Sequence, residues 1–418
     1  MTLSFAVSLR CQECGKEYPF ESGLYACPEC GGKLEVVYDY EAIKESFSVE
    51  KLKSRPWDHW RYIEFLPLDS VHVTLHEGGT WLIRSRRLAE ELGLKNLYIK
   101  NETTNPTASF KDRPISVGVN RAIELGARVV VTASSGNAAA ALTALGARAG
   151  LRVVTFVPHD APAAKLAQLR MLGATVIPVE PVEGELGAPT VKLMRLSWKK
   201  YGWHPVPSFG PFNPYQIEGA KTLLMEVMEE LGFSVPDQVY VPVGGAGLLS
   251  GHIRALDDFR AVGLIDALPR IIAVQPEGNR PFVEAFRRGS EPETWPNPRS
   301  IAGGLLDPYT WDWRDGFRAL RETGGTAVAV PDDLIWEAQK MLARYEGIFV
   351  EPSGAASLAG LMLELREGDV DRSDLIVVEA TGSGFKDLDI VVQRTGLPEP
   401  IPGTEEALEE RLKSEGIL

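Results

Sequence analysis

Short apolar segments alternate with amphipathic segments along most of the chain from residue 96 onward. The apolar segments are rich in β-branched residues and are typical of buried strands. They read NLYIK, ARVVVTAS, RVVTFVP, TVIPVE, QVYVPVGG, RIIAVQPE and LIVVEATG. Between them, segments such as AKLAQLRMLG and AKTLLMEVMEELG place apolar residues at helical spacing and end near a glycine. Apolar strands that alternate with helices predict an α/β fold with parallel sheets covered on both faces.

The number of these units exceeds one six-stranded sheet, so the pattern predicts two α/β lobes with a ligand site between them. An aromatic-rich, irregular segment precedes the lobes, and a proline-rich and then acidic segment follows them. Thr404 is the predicted N-cap of a solvated surface helix, EEALEERLKS. The predicted divisions are 1–37 (a metal ribbon), 38–69 (a connecting arm), 70–114 with 206–395 (the large domain), 115–205 (the small domain) and 396–418 (the tail helix).

Composition narrows the functional classes. The 418 residues are 44% hydrophobic and 24% charged, which is the balance of a globular protein. The net charge of −13 would repel phosphate backbones, so we expect no nucleic-acid partner. The uncharged stretch 129–147 contains Ser-Ser-Gly-Asn, which predicts a strand, a turn and a helix rather than a membrane span. The N-terminal residues lack the features of a signal peptide, so we expect a cytoplasmic protein without membrane association.

Four cysteines lie within the first thirty residues, and the remaining chain has none. Cys11, Cys14, Cys27 and Cys30 form two C-x2-C pairs separated by twelve residues. Four thiolates at this spacing predict a tetrahedral zinc site, with all four positions filled and therefore a structural role. Disulfides are the main alternative but are uncommon in the cytosol, and an iron or redox centre is a further alternative.

Four segments could carry chemistry. The helix start after Ser134-Ser135-Gly136-Asn137 could bind a carboxylate, and the turn at Gly244–Gly247 could fold around a phosphate. EATGSGFKD carries Thr381 at a strand end, and NPTASFKDRP carries Lys111 just before a helix. Taken one by one, the first segment is explained equally well by an ordinary capped helix start. A glycine-rich turn alone is weak evidence for a site, and a lysine before a helix is usually a solvated surface charge.

Together, the four segments resemble the β-family, or fold type II, of pyridoxal-phosphate enzymes, and within it the threonine synthases. Three further segments are similar to that family: LHEGGTWLIRSRRL at 75–88, FNPYQIEGAKT at 212–222 and FVEPSGAASLAG at 349–360. The resemblance spans roughly residues 70–395 with its motifs in the family order. It implies a two-lobed fold like that of the tryptophan synthase β chain, with the cysteine ribbon as an N-terminal extension.

The resemblance also implies residue roles. Lys111 would hold pyridoxal 5'-phosphate covalently and later move protons, while desolvation near Phe110 lowers its pKa. Thr381 would face the pyridine nitrogen, and its neutral hydroxyl favours elimination and replacement over transamination. The remaining implied contacts are Asn137 to the cofactor ring oxygen, Gly244, Gly245, Ala246, Gly247 and Leu248 to its phosphate, and Ser134, Ser135 and Gly136 to the substrate carboxylate.

The sequence departs from the threonine synthase pattern where a second phosphate would bind. Gly245 and Gln216 stand where relatives have an asparagine and a basic residue. Arg113 is therefore the predicted substrate-phosphate residue, with Lys165 and Arg170 as further candidates.

The leading hypothesis is a threonine synthase-like lyase that converts O-phosphohomoserine and water to threonine and phosphate. The alternatives are a serine/threonine ammonia-lyase, a phosphoserine-using β-replacement enzyme such as cysteate synthase and, least favoured, a non-catalytic cofactor-binding protein. We expect a homodimer that acts on a small amino-acid substrate.

Overall fold

The chain forms thirteen strands within residues 4–181 and 188–418, the parts that this computed structural model describes. In chain order they are β1 Ala6–Cys11, β2 Glu17–Pro19, β3 Leu34–Tyr38, β4 Leu82–Arg84, β5 Asn96–Asn101, β6 Val129–Thr132, β7 Arg152–Pro158, β8 Thr175–Val179, β9 His204–Pro205, β10 Gln238–Pro242, β11 Arg270–Pro276, β12 Thr326–Val330 and β13 Leu375–Ala380. Each of the seven predicted segments contains a strand. The prediction missed β12, TAVAV, because its alanines are weak strand formers.

Sixteen α-helices complete the elements of the same described ranges. They are α1 Tyr40–Ser46, α2 Val49–Lys53, α3 Arg87–Leu92, α4 Asp112–Glu124, α5 Asn137–Ala149, α6 Ala163–Met171, α7 Pro189–Tyr201, α8 Pro214–Ala220, α9 Thr222–Glu230, α10 Gly247–Ala261, α11 Pro281–Arg288, α12 Trp313–Glu322, α13 Asp332–Glu346, α14 Pro352–Glu367, α15 Leu388–Thr395 and α16 Glu405–Ser414. The stretch 129–147 forms β6, a turn and α5, as predicted. None of the helices in the described ranges combines the length and apolarity needed to cross a bilayer.

Two largely parallel sheets organise residues up to Lys386. The larger has the order β12-β11-β10-β13-β5-β4, with only β4 antiparallel, and the smaller has the parallel order β8-β7-β6-β9. The chain leaves the large sheet after β5, builds the small sheet and returns with β10. Because β5, β10 and β13 are parallel neighbours, their carboxyl ends lie at one edge of the sheet, where three of the four candidate segments follow. The α/β fold with two parallel-rich sheets is confirmed.

The N-terminal segment forms a small antiparallel sheet of order β2-β1-β3. The following arm was predicted to be irregular, but it contains α1 and α2, whose Ile43 and Leu52 are buried. Asp39 and Ser48 cap these helices by accepting a backbone N–H within the first turn. Short capped helices of this kind are stabilised by burial of one apolar residue each, which a hydropathy pattern does not reveal.

A second unit comprises Asp387–Leu418 and begins earlier in the chain than the predicted tail at residue 396. It contains α15 and α16, neither of which has a buried residue. Thr404 caps α16 by accepting a hydrogen bond from the Ala407 N–H at 3.3 Å. The predicted solvated helix with its threonine cap is therefore confirmed.

Candidate active site

The lysine motif is held against the end of β13 by backbone hydrogen bonds. The Phe110 N–H donates to the Thr381 carbonyl at 3.0 Å, and the Ser383 N–H donates to the Ala108 carbonyl at 2.9 Å. Ala108 adopts a left-handed backbone conformation with φ of 63°, which turns the chain into α4. These contacts fix Lys111, the residue before α4, next to the strand that ends in Thr381.

The Lys111 amine has one direct hydrogen-bond acceptor, the Ser208 hydroxyl at 3.1 Å. Its Nζ also lies 4.7 Å from the centre of the Phe110 ring. Burial lowers the pKa of Lys111, because desolvation disfavours the ammonium form. Three carboxylates partly oppose the pKa shift: Asp307, Asp312 and Glu351. A lysine with a lowered pKa is a usable base and nucleophile.

The Ser208 turn is shaped by Gln216, the residue at which the sequence departs from the threonine synthase pattern. The Gln216 Oε1 accepts from the Ser208 N–H at 3.1 Å, and its Nε2 donates to the Phe209 carbonyl at 2.9 Å. Ser208 has a φ of 69°, a conformation that a non-glycine residue holds only where its surroundings enforce it. Gln216 is fully buried, so it supports the hydroxyl that contacts Lys111.

The glycine-rich turn connects β10 to α10, and the Asp307 carboxylate lies against it. Burial raises the pKa of Asp307, although the nearby Lys111 amine and the Gly245 backbone amide oppose the rise. A Cβ atom at Gly244 would lie 3.0 Å from Asp307 Oδ2, and one at Gly245 would lie 3.2 Å from it. Ala246 has a φ of 65° immediately before the helix. The turn therefore offers backbone amides to an anion at a helix N-terminus.

The Ser-Ser-Gly-Asn segment connects β6 of the small sheet to α5. The Ser134 hydroxyl accepts from the Gly136 N–H at 3.1 Å, and Asn137 is the first residue of the helix. The Asn137 amide donates to Glu351 Oε1 at 2.8 Å and accepts from Lys386 Nζ at 2.9 Å. The structure thus joins the asparagine segment to two segments of the large sheet.

Arg113 lies within a buried ion-pair cluster. Its guanidinium donates to Glu102 Oε2 at 2.7 Å and to Glu226 Oε2 at 2.6 Å, and its side chain has no exposed surface. Lys100 pairs with the same Glu226 at 2.9 Å. These carboxylates raise the pKa of Arg113, although burial alone would lower it. The predicted contact between Arg113 and a substrate phosphate has no support in this geometry, because its donors are directed to carboxylates inside the protein.

Of the other candidates, both on α6, Arg170 is exposed and Lys165 is half-buried.

The four cysteine thiols converge in the N-terminal ribbon. All four Sγ atoms lie within 4.8 Å of one another. Cys11 Sγ is 3.5 Å from Cys30 Sγ, and Cys14 Sγ is 3.7 Å from Cys27 Sγ. Tetrahedral zinc with bonds of about 2.3 Å requires sulfur–sulfur distances of about 3.8 Å. The donor set therefore fits a zinc ion.

The predicted lysine, asparagine, glycine and threonine segments converge, while sequence reasoning missed four side chains among them. These are Ser208, Asp307, Glu351 and Lys386. Glu351 and Lys386 stand inside the segments FVEPSGAASLAG and TGSGFKD, so the motif matches carried a signal for them. Ser208 and Asp307 belong to no motif, and only their positions beside Lys111 and the glycine turn reveal them.

Residues 73–382 match the family model described as "Pyridoxal-phosphate dependent enzyme". The chain belongs to this family. It is 44% identical to the threonine synthase of Methanocaldococcus jannaschii over 93% of this chain and 95% of the relative. It is 39% identical to the threonine synthase of Methanosarcina acetivorans over 97% of this chain and 98% of the relative. The resemblance read from the sequence motifs is therefore confirmed.

Solved structures of the pyridoxal-phosphate family share the fold. The chain aligns with the processed form of threonine deaminase isoform 2 from Solanum lycopersicum with a TM-score of 0.62 and 26% identity. The alignment covers 76% of this chain and 88% of the other. As expected for a family member, the residues fit pyridoxal phosphate: an amine of lowered pKa follows β5, and a glycine turn at a helix N-terminus follows β10, both at the carboxyl edge of the large sheet. The chain is a pyridoxal-phosphate-dependent enzyme.

Proposed function

We propose that this enzyme is a threonine synthase-like lyase that converts O-phosphohomoserine and water to threonine and inorganic phosphate. The observation that carries the proposal is the position of the Lys111 amine. It donates a hydrogen bond to Ser208 and lies in the electrostatic field of three carboxylates, which contact the glycine turn or Asn137. Near-full-length similarity to threonine synthases supports the same reaction.

The residues that would hold the cofactor follow from the contacts at the strand ends. Lys111 would carry it covalently beside Phe110, the amides of Gly244 to Leu248 would bind its phosphate, and Asn137 and Thr381 would contact its ring. Bound pyridoxal phosphate would supply an electron sink for negative charge on the substrate carbons. Lys111 Nζ would accept and return protons on those carbons, and the Ser208 hydroxyl would hold the amine in place between transfers.

The two anionic groups of the substrate need separate partners. Ser134, Ser135 and Gly136 precede the N-terminus of α5, where backbone N–H groups favour a carboxylate. Lys386 is the cation that contacts Asn137, and we propose that it contributes to binding the substrate phosphate in place of Arg113. Each charge-assisted contact of this kind is worth about 1.5–3 kcal/mol.

The cysteine ribbon would hold one structural zinc ion. Its four sulfur ligands leave no position for a substrate or a water molecule. The ion would therefore stabilise the fold of the ribbon, which has only a small three-stranded sheet. Elemental analysis of protein purified without chelator is expected to give one zinc per chain.

A substrate panel tests the reaction. Phosphohomoserine, threonine, serine and phosphoserine are supplied separately, and phosphate, ammonia and keto acid are measured. Phosphate release with threonine formation from phosphohomoserine is the expected result. Ammonia release from threonine or serine without phosphate release would instead support a dehydratase, to which the similarity with a threonine deaminase structure also points. Turnover of phosphoserine alone would support a β-replacement enzyme.

Two further features belong to the same proposal. A zinc site of four thiolates is stable in a reducing compartment, which supports a cytoplasmic location. We also propose a homodimer, which light scattering of the purified enzyme tests directly.

A further inference from the structure

Lys33 belongs to the ribbon but its amine is buried in the body of the enzyme. Its Nζ pairs with Asp312 and, at 2.7 Å, with Asp315. The Ser250 hydroxyl is 3.4 Å away. Burial alone would lower the pKa of Lys33, but the two carboxylates outweigh it and raise the pKa. Lysines are almost never fully buried unless paired, so the two aspartates account for the burial of the Lys33 amine.

The partner of Lys33, Asp312, joins the two turns of the candidate active site. Its Oδ2 accepts from the Gly210 N–H at 2.9 Å, two residues after the Ser208 that contacts Lys111. Its own N–H donates to the Gly245 carbonyl in the glycine turn at 2.9 Å. One aspartate therefore contacts both the turn that would bind the cofactor phosphate and the turn that positions the Lys111 amine.

These contacts are closely packed. A Cβ atom at Gly210 would lie 2.5 Å from Asp312 Oδ1 and 2.5 Å from Lys33 Cε. A Cβ atom at Gly247 would lie 3.1 Å from the Ser208 carbonyl oxygen. Because Asp312 contacts both turns at close range, a displacement of Lys33 or Asp312 would be transmitted to both.

The backbone of Lys33 is in turn fixed by both cysteine pairs. The Lys33 carbonyl accepts from the Gln12 N–H, between Cys11 and Cys14, at 2.9 Å. The carbonyl of Gly32 accepts from the Cys27 N–H at 3.0 Å. Lys33 therefore lies where the two halves of the metal site meet, and closing that site sets the direction in which its side chain leaves the ribbon.

We propose that Lys33 is a positioning residue through which the metal ribbon holds the cofactor-binding glycine turn and the Ser208 turn in their working arrangement. The inference rests on the proposed role of the glycine turn in binding the cofactor phosphate. It gives the ribbon a function in the chemistry of the site, although neither the metal nor Lys33 contacts a reacting atom.

The test compares Lys33→Gln with Arg314→Gln in the full-length protein. Arg314 forms an exposed ribbon-to-body pair with Glu13 at 2.8 Å, so its variant removes a cross-contact without touching the two turns. Pyridoxal phosphate is titrated into each cofactor-free protein. We expect Lys33→Gln to weaken its binding by about tenfold to a hundredfold, as a small misplacement of a binding group can, and Arg314→Gln to leave the affinity at the wild-type value.

Hydrogen exchange of the cofactor-free proteins gives a readout that does not depend on turnover. Faster exchange in the peptides around residues 208–212 and 243–248 is expected for Lys33→Gln, with unchanged exchange in β11 and α14. Wild-type affinity and exchange in Lys33→Gln would overturn the proposal. Equal acceleration across the whole body would also overturn it, because it indicates a global loss of stability.

Two further arms keep the test decisive. If Lys33→Gln does not fold, Asp312→Asn takes its place: it keeps an acceptor for the Gly210 N–H but removes the charge that binds Lys33, and it is expected to reproduce the weaker cofactor binding.

Chelation of the wild-type metal should also weaken cofactor binding, and wild-type affinity after verified metal loss would overturn the role of the ribbon. Failure to form threonine from phosphohomoserine would overturn the proposed reaction while leaving these affinity measurements interpretable.

Discussion

Lys111 and Arg113 stand two positions apart in one motif, yet their surroundings differ completely. The Lys111 side chain is half-buried, and its amine contacts a single hydroxyl, that of Ser208. The guanidinium of Arg113 is fully enclosed and is neutralised by Glu102 and Glu226. The Lys111 amine can still donate hydrogen bonds to a ligand, whereas the Arg113 guanidinium is held by its two carboxylates.

The difference shows that a positive charge close in sequence to the candidate lysine need not be available to a ligand. An enclosed guanidinium whose donors are satisfied cannot bind an incoming phosphate without taking its positive charge away from two buried carboxylates, which is costly. The Arg113 cluster instead joins Glu102, in the short 3-10 helix after β5, to Glu226 on α9. It thereby supports the start of α4, where Lys111 lies. This geometry favours a structural role for Arg113 over the predicted contact with a substrate phosphate.

Substitution of Lys111 is expected to have the largest effect on turnover. Lys111→Ala should lower turnover by more than the about 10²–10⁴-fold typical of losing a positioned acid or base, because it also removes covalent cofactor attachment. The free energy of unfolding should change little, since the amine makes one hydrogen bond. Steady-state kinetics, the visible absorbance of bound cofactor and urea unfolding are measured together. Borohydride reduction of the wild type followed by peptide mapping should tag Lys111, and a tag on another lysine would refute the assignment.

The Arg113 side should show the reverse pattern. Arg113→Ala leaves Glu102 and Glu226 without their main partner and should lower the free energy of unfolding by about 3–5 kcal/mol, as breaking a buried pair does. Arg280→Ala is the control, because Arg280 forms a partly exposed pair with Glu284 at 2.9 Å and should cost under about 1 kcal/mol. An Arg113→Ala protein with wild-type stability and a raised KM for phosphohomoserine would return Arg113 to the substrate site.

A third variant examines the carboxylate on the glycine turn. The cofactor phosphate would bind beside the negative charge of Asp307, which lies against the glycine turn. Asp307→Asn removes that repulsion and should tighten pyridoxal phosphate binding by about tenfold, the equivalent of one charge-assisted contact. Asp266→Asn is the charge-matched control, since Asp266 is exposed and far along the chain from the turn. Titration of the cofactor-free proteins measures the effect. Weaker binding in Asp307→Asn would show that this carboxylate supports the cofactor site.

The smallest effect on stability is expected from a substitution at the start of α16, away in sequence from both Lys111 and Arg113. Thr404→Ala removes the cap of α16 and should destabilise that helix by about 1 kcal/mol. Cofactor affinity and turnover should stay at wild-type values. Hydrogen exchange of the full-length protein should accelerate only in residues 405–414, and faster exchange near Lys111 would contradict a local effect of the cap.

Local patterns predicted the parts of the molecule that depend on local forces. Strand segments, the turn after β6 and the cap of α16 follow from periodicity, glycine and threonine placement. The strand β12 and the short helices α1 and α2 were missed, because their formation depends on the surfaces they cover. The motifs located the lysine, asparagine and glycine segments because each is a short continuous run of residues.

The sequence by itself determined the α/β fold, the cysteine spacing and the family, and it made Lys111 the candidate reactive amine. The tertiary structure alone decided that Arg113 is enclosed by Glu102 and Glu226, that Gln216 shapes the Ser208 turn, and that Lys33 reaches Asp312. In each case the deciding partner is distant in the chain or lies in a segment without a motif. The role of a polar side chain depends on which groups share its buried volume and desolvation, and this information is present only when the chain is folded.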